Sequence, residues 1–154
     1  MLHVALYQPE IPPNTGNIIR LCANNGCMLH LIHPLGFQMD TPQLKRAGLD
    51  YHQWCNIKQY QNWEAFNQAF QHTRRFACTT KAETMYDQVH YRSGDVLLFG
   101  PETKGLPTSI LDPMSAGEKI RVPMLALSRS INLANAVSIV TYEALRQLNF
   151  PGLS

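Results

Sequence analysis

Short apolar runs alternate with helical patterns along this chain, and no other feature of the sequence constrains the fold as strongly. Strands are predicted at residues 4–7, 28–32, 76–79, 95–99 and 120–122. Helices are predicted from residue 14 or 15 to about 24, at 41–47 and 62–70, and from 130 or 131 to 148. Strands that alternate with helices form mainly parallel sheets with helices on both faces. We therefore expect an α/β fold, and 154 residues without an internal repeat or interior linker predict one domain over residues 1–154.

The net charge of the chain is only +2, from 13 Lys and Arg against 11 Asp and Glu. This weak basic excess is compatible with a nucleic-acid partner but does not indicate one, because dedicated nucleic-acid-binding domains usually carry more positive charge. Basic residues form local clusters at 45–46, 74–75 and 119–121. A solvated charged surface explains these clusters better than a track for RNA.

The four cysteines, Cys22, Cys27, Cys55 and Cys78, form no Cys-x-x-Cys pair. Three of them have apolar neighbours, as buried thiols do, and nothing indicates a disulfide framework. The N-terminus has no basic segment typical of a signal peptide, and no apolar run reaches the length of a membrane span. We expect a soluble protein of the reducing cytoplasm, with no membrane association.

Three polar loops follow predicted strands, at residues 12–17, 100–107 and 123–135. In parallel α/β sheets, ligands bind beyond the carboxyl ends of the strands, so these loops are the candidate site. Each loop also has a purely structural explanation, because Asn14, Thr15, Ser128 or Ser130 is a suitable helix cap and the glycines suit turns. Glu102 is harder to explain in that way, since it lies between two turn signals where a surface loop has no need of an acid.

Several kinds of site are excluded or disfavoured. The dinucleotide fingerprint Gly-x-Gly-x-x-Gly and the Gly-x-Ser-x-Gly elbow are both absent. The loop after Phe99 resembles a phosphate loop, but Leu106 and Pro107 stand where that loop needs Lys followed by Ser or Thr. His30 and His33 would point to opposite faces of a strand, so we expect partly exposed histidines and no metal site.

Three segments, 14–20, 99–105 and 128–137, resemble the three motifs of the SPOUT RNA methyltransferases, and they occur in the same order. Segments 46–52 and 142–148 also match, so the resemblance spans nearly the whole chain. Within that class, the chain is similar to the minimal members that methylate the ribose 2′-hydroxyl of the wobble nucleotide of tRNA. The resemblance implies position 34, a cytidine or modified uridine, as the target and leucine isoacceptors as substrates. It also implies a deep C-terminal trefoil knot, a homodimer whose active site needs both subunits, and S-adenosylmethionine as cofactor, with S-adenosylhomocysteine as product.

The resemblance assigns roles to individual residues. The cofactor pocket is expected to be lined by Cys78, Thr79, Gly100, Glu102, Gly105, Val122, Ser130 and Leu133. The catalytic set is expected to be Arg20, Asn14 and Asn132, and the RNA contacts Lys45, Arg46, Arg129 and Tyr142.

The chemistry of these residue types agrees with the assignment. Gly100 and Gly105 permit close approach of the backbone to a ligand, and Glu102 is an acid suited to offset a cationic sulfonium. A guanidinium stays protonated in proteins, so Arg20 is expected to bind a phosphate and the developing alkoxide rather than to act as a base. Asn14 would hold the start of the first helix, and Asn132 the third motif.

Some positions depart from the pattern of this class. Leu127 replaces a residue that is usually polar, Lys104 stands where arginine is common, and the tail after residue 148 is short. Two alternatives stay open: methylation of another RNA, such as ribosomal RNA, and a non-catalytic RNA-binding or cofactor-sensing protein. Retention of Asn14, Arg20, Glu102, Ser130 and Asn132 speaks against loss of catalysis.

Overall fold

The computed structural model describes residues 1–48 and 56–154. Over these residues it contains the strands β1 (His3–Tyr7), β2 (Met28–Ile32), β3 (Ile57–Tyr60), β4 (Arg75–Cys78), β5 (Thr84–Met85), β6 (Val96–Phe99) and β7 (Lys119–Arg121). The α-helices are α1 (Pro12–Asn25), α2 (Pro42–Gly48), α3 (Trp63–Ala69), α4 (Thr108–Leu111) and α5 (Leu133–Gln147). Short 3₁₀ helices cover Tyr86–Gln88 and Ala116–Glu118.

The strands form one parallel sheet in the order β3-β2-β1-β6-β4-β7-β5, which confirms the predicted α/β fold. β1 and β6 lie side by side, with Leu6 opposite Phe99, so the loops that follow these two strands begin at the same edge of the sheet. β3 was not predicted because it is an edge strand in which Lys58 and Gln59 are exposed, and it therefore has no apolar run. The trefoil knot implied by the resemblance stays a prediction.

Helices cover both faces of the sheet. In β6, Leu97 and Phe99 belong to the larger apolar cluster, which also contains side chains of α1, α2 and α5. Val96 and Leu98 point the other way, into a second cluster with side chains of α3 and α4. A strand buried on both faces is a continuous apolar run, and this is why β6 is so evident in the sequence.

The start of α1 differs from the prediction. The helix begins at Pro12, with Ile11 as its N-cap, so Asn14 and Thr15 are buried within the first turn and do not cap the helix. Proline suits the first helical positions because its ring fixes φ and the missing N–H would have no partner there. The predicted end is confirmed: Gly26 has φ 75° and donates its N–H to the Cys22 carbonyl.

α5 also begins later than predicted. Its N-cap is Asn132, whose Oδ1 accepts from the backbone N–H of Asn135 at 3.2 Å. The alternatives with Ser128 or Ser130 as the cap were therefore wrong, as was the placement of Asn132 inside the helix. Asn62, by contrast, caps α3 at the predicted start, accepting from the Ala65 N–H at 2.9 Å.

His30 is buried, not partly exposed as predicted, and its side chain lies among aromatic rings. Its Nε2 is hydrogen-bonded to His3 Nδ1 at 2.9 Å and its Nδ1 to the Tyr60 hydroxyl at 3.1 Å. Burial, with smaller contributions from the nearby His3 and Lys58, lowers the pKa of His30 to about 4. Among residues 1–48 and 56–154, no group of His, Cys, Asp or Glu side chains is arranged to hold a metal ion.

The cysteines of the described residues, Cys22, Cys27 and Cys78, carry thiols rather than disulfides. Cys55 and most of the matching segment 46–52 lie outside the described residues. Within the part of the chain that the structure describes, no helix has the length and hydrophobicity to cross a bilayer.

Candidate active site

A cavity of about 530 Å³ lies at the carboxyl ends of β4, β6 and β7. Cys78 ends β4, Gly100 follows β6 and Val122 follows β7, so the carboxyl ends of all three strands contribute to the wall. Every residue that the resemblance assigns to the cofactor lines this cavity: Cys78, Thr79, Gly100, Glu102, Gly105, Val122, Ser130 and Leu133. The fold therefore brings these residues together from three loops, while their binding of a cofactor stays a prediction.

The loop after β6 turns back on itself so closely that Gly100 has no room for a side chain. A Cβ at Gly100 would lie 2.3 Å from the Leu106 nitrogen and 2.4 Å from the Gly105 carbonyl carbon. Gly105 has φ +66° and donates its N–H to the Pro101 carbonyl at 2.9 Å. The left-handed conformation favours glycine at residue 105, and the close backbone approach requires it at residue 100.

Glu102 connects this loop to the start of α1. Its Oε2 accepts from the backbone N–H of Glu10 at 2.7 Å, and its Oε1 accepts from that of Ile11 at 3.3 Å. A carboxylate at this end of a helix is stabilised by the unpaired N–H groups and the positive end of the helix dipole. Glu102 also lines the cavity. Its role as counter-charge to a sulfonium stays a prediction.

Glu10 and Thr103 form a second contact between the same two loops, in which the carboxylate belongs to the loop after β1. The Thr103 hydroxyl donates to Glu10 Oε1 at 2.7 Å, and the Thr103 backbone N–H donates to the same oxygen at 3.5 Å. The sequence analysis gave neither residue a role, although Thr103 lies in the loop 100–107 that it selected. The carboxyl-edge rule could have found Glu10, because it lies three residues after the end of β1.

Two predicted catalytic residues contact each other. The Asn132 side-chain Nδ2 donates to Asn14 Oδ1 at 3.0 Å, while the Asn132 Oδ1 caps α5. Asn14 is only 8% exposed, so this bond satisfies a polar group that is largely shielded from water. The first and third motifs are thereby joined at the starts of α1 and α5.

The remaining predicted residues lie in separate places. Arg20 is exposed on α1 and is not among the described residues that line the cavity. Lys45 and Arg46 are exposed on α2, which packs against α1, and Arg129 lies at the cavity. Tyr142 is exposed on α5 and lines a different surface groove. One copy of the chain therefore does not collect all of these residues at the cavity.

Cys78 contributes a shielded thiol to the wall of the cavity. Burial raises the pKa of this thiol to about 12, so it stays protonated at neutral pH. Cys78 contributes a small apolar surface to the cavity wall. Thr80 and Lys81 also line the cavity, and they lie outside the three loops that the sequence analysis selected.

Several curated proteins are similar to this chain over almost its full length. A protein of Aeromonas hydrophila named tRNA (cytidine(34)-2′-O)-methyltransferase is 57% identical over 152 residues, which cover 99% of this chain and 97% of that protein. A protein of Escherichia coli K12 with the same name is also 57% identical, with the same coverage.

Solved structures have the same fold. One, determined to study the 2-OH methylation of C/U34 on tRNA, matches with a TM-score of 0.92 at 45% identity and covers 97% of both chains. An AdoMet-bound rRNA methyltransferase of Sinorhizobium meliloti matches with a TM-score of 0.86 at 28% identity, covering 96% of this chain and 56% of that one. The profile of the SpoU rRNA Methylase family matches residues 1–142. The protein described here therefore belongs to the SpoU rRNA methylase family.

Proposed function

We propose that this protein transfers the methyl group of S-adenosylmethionine to the ribose 2′-hydroxyl of nucleotide 34 of tRNA. One observation carries the proposal: a single cavity, lined by all the residues expected to hold the cofactor, in a chain 57% identical to a methyltransferase named for cytidine 34. Leucine isoacceptors are the expected substrates. The cytoplasm, where tRNA is found, is the expected location.

The residues of the cavity fit the cofactor. A volume of about 530 Å³ lies within the range of small-molecule sites. The absence of side chains at Gly100 and Gly105 leaves backbone groups accessible to adenine and to the amino-acid portion. When bound, S-adenosylmethionine supplies an electrophilic methyl group on a cationic sulfur. Glu102 would offset that charge, and the neutral Cys78 thiol would not compete for the methyl group.

Arg20 would act on the RNA rather than on the cofactor. Its charged guanidinium suits bidentate binding of a phosphate and stabilises the alkoxide that forms as the 2′-hydroxyl loses its proton. The proton would leave through phosphate or water. Lys45, Arg46 and Arg129 are exposed and would bind phosphates of the anticodon arm, with Tyr142 as a further RNA contact.

We propose a homodimer with sites completed by both subunits. Arg20 is not among the cavity-lining residues of its own chain, so a second copy provides a way to bring an Arg20 to each cavity. Several large apolar side chains are exposed in the single chain and would be available to such an interface: Leu125, Leu127, Ile139 and Phe150.

The proposal is tested by incubating the protein and labelled S-adenosylmethionine with tRNA and, separately, with ribosomal RNA, both from a strain that lacks the enzyme. Label is expected at the ribose of nucleotide 34 of leucine tRNAs. Label confined to ribosomal RNA would establish the alternative substrate, and binding of S-adenosylmethionine without transfer to either RNA would establish a non-catalytic protein.

The role of Arg20 is tested by Arg20→Ala, with Arg92→Ala as the matched control, because Arg92 is exposed before β6 at the opposite edge of the sheet. Arg20→Ala is expected to lower the turnover rate by about 100-fold or more, as for loss of a group that stabilises developing charge. Full turnover by this variant would exclude the role given to Arg20.

A further inference from the structure

Glu10, Ile11, Glu102 and Thr103 form a set of reciprocal contacts that we call the loop clasp. Each of its two carboxylates accepts hydrogen bonds from the other loop. Glu102 accepts from the backbone N–H groups of Glu10 and Ile11, and Glu10 accepts from the hydroxyl and N–H of Thr103. The clasp therefore joins the β1–α1 loop to the β6–α4 loop, although more than 90 residues separate them in sequence.

The two loops have different neighbours. Glu102 and Thr103 line the cavity, whereas Ile11 immediately precedes the helix that carries Asn14 and Arg20. The clasp is thus a direct connection between the expected cofactor pocket and the helix expected to act on RNA. A separate hydrogen bond, from Asn132 to Asn14, joins the start of α1 to the start of α5.

Glu10 is also held from its other side. A Cβ at Gly36 would lie 2.8 Å from the Glu10 Cα, and the Gly36 N–H donates to the Pro9 carbonyl at 2.9 Å. Because its backbone is packed against the β2–α2 loop, Glu10 has little room to shift independently. The cavity loop is therefore hydrogen-bonded to a segment that is itself held in place directly before α1.

The chemistry of the clasp favours a fixed geometry. The Thr103–Glu10 bond joins a hydroxyl to a carboxylate, and bonds of this kind are shorter and stronger than those between neutral groups. The two carboxylates each have donors of their own, which offset the repulsion between them. Loss of the Thr103 hydroxyl would leave Glu10 with its weaker backbone contact at 3.5 Å.

We propose that Glu10 and Thr103 are positioning residues, which couple occupancy of the cofactor cavity to the placement of α1 and its RNA-facing side chains. This inference rests on the proposed function only in the part that concerns Arg20. The coupling between cavity and helix is a property of the chain and has a readout without RNA.

The test compares Thr103→Val, which removes the hydroxyl and keeps the side-chain shape, with Thr103→Ser, which keeps the hydroxyl. Thr108→Val is the matched control, because Thr108 is exposed at the start of α4. Thr103→Val is expected to lower kcat by about 10- to 100-fold, as for a slight misplacement of a reacting group. The Kd for S-adenosylhomocysteine is expected to change far less, and Thr103→Ser to restore the rate. An unchanged kcat accompanied only by a lower Tm would overturn the proposal.

A second measurement does not depend on the substrate. Hydrogen exchange at the backbone amides of residues 14–17, which follow the two prolines that begin α1, is measured with and without saturating S-adenosylhomocysteine. In the unaltered protein the ligand is expected to slow this exchange, and in Thr103→Val and Glu10→Gln the slowing is expected to be lost although the ligand still binds. Equal slowing in all variants would overturn the coupling. Failure to methylate nucleotide 34 would leave this result intact and contradict only the proposed substrate.

Discussion

The side chains of Asn14 and Asn132, 118 residues apart in sequence, are joined by a hydrogen bond of 3.0 Å. Asn132 uses both ends of its amide, since its Nδ2 donates to Asn14 and its Oδ1 accepts from the Asn135 N–H. One side chain thus begins α5 and fixes the first turn of α1. Asn132 therefore has a structural role, in addition to the catalytic role that the family resemblance implies.

We expect Asn132→Ala to lower the free energy of unfolding by about 2 kcal/mol, because it removes a helix cap and leaves the shielded Asn14 oxygen without this donor. Urea denaturation measures the change. Asn135→Ala is the matched control, an exposed asparagine in the same helix, and should change stability by less than about 0.5 kcal/mol. A double-mutant cycle with Asn14→Ala should give a coupling energy of about 1 kcal/mol. Additive effects would show that the bond contributes nothing.

Gly100→Ala is expected to disrupt the cavity loop. The new Cβ would meet backbone atoms of Leu106 and Gly105 at 2.3 and 2.4 Å, and backbone cannot move aside as a flexible side chain can. We expect a loss of about 3 kcal/mol of stability, together with a Kd for S-adenosylhomocysteine raised at least tenfold. Calorimetry measures both quantities.

Gly117→Ala is the control for this substitution, because a Cβ at Gly117 has nothing within 4 Å. It should leave stability and binding nearly unchanged. Wild-type binding by Gly100→Ala would mean that the loop can open without affecting the ligand, and the cavity would then not be the cofactor site.

Glu102→Gln separates the two roles of this carboxylate. If Glu102 offsets a sulfonium, the loss of its charge weakens binding of the cationic S-adenosylmethionine more than that of S-adenosylhomocysteine, which has a neutral thioether. We expect the additional loss to be about tenfold, equivalent to about 1.4 kcal/mol. Isothermal titration with each ligand measures it, and Glu64→Gln, at an exposed position of α3, is the control. Equal losses for both ligands would limit Glu102 to its hydrogen bonds with Glu10 and Ile11, directly before α1.

The sequence was sufficient to locate two of the loops at the cavity, 100–107 and 123–135, because local features determine them, whereas residues 12–17 of the third predicted loop are not among the described residues that line it. β6 is a run of four fully buried apolar residues, and its loop begins at Gly100, so both the strand and the turn follow from short segments. The carboxyl-edge rule then places the three polar loops at one side of the sheet. The roles of individual residues came from the family resemblance and not from these patterns.

Contacts over long sequence separations were not predictable in the same way. Glu10 follows a strand like many surface acids do, and only the folded chain shows that its carboxylate faces Thr103. Asn132 was placed inside a helix because propensity does not distinguish a cap from a first-turn residue without backbone angles. The period-two pattern around His30 gives no sign that its neighbours on β1 and β3 are His3 and Tyr60.

Acid is expected to destabilise the protein through His30. Its pKa in the folded chain is lowered from 6.5 to about 4, so the unfolded chain takes up a proton at a pH at which the folded chain does not. The resulting loss of unfolding free energy is absent well above pH 6.5, grows as the pH falls from 6.5 towards 4, and is constant below that range. Burial and the nearby N-terminal amine lower the pKa of His3 as well. Protonation of His3 therefore also destabilises the folded chain as the pH falls.

The free energy of unfolding should therefore fall by at most about 3 kcal/mol through His30 over this range, and urea denaturation between about pH 4.5 and 7.5 measures the change. His30→Gln removes the titrating group and should give a flatter pH dependence than the unaltered protein, even if it is less stable at neutral pH. His72→Gln, at an exposed histidine, should keep the original dependence. If His30→Gln lost stability with pH as steeply as the unaltered protein, the acid sensitivity would lie with other groups, and the hydrogen-bonded chain of His3, His30 and Tyr60 would not restrict protonation.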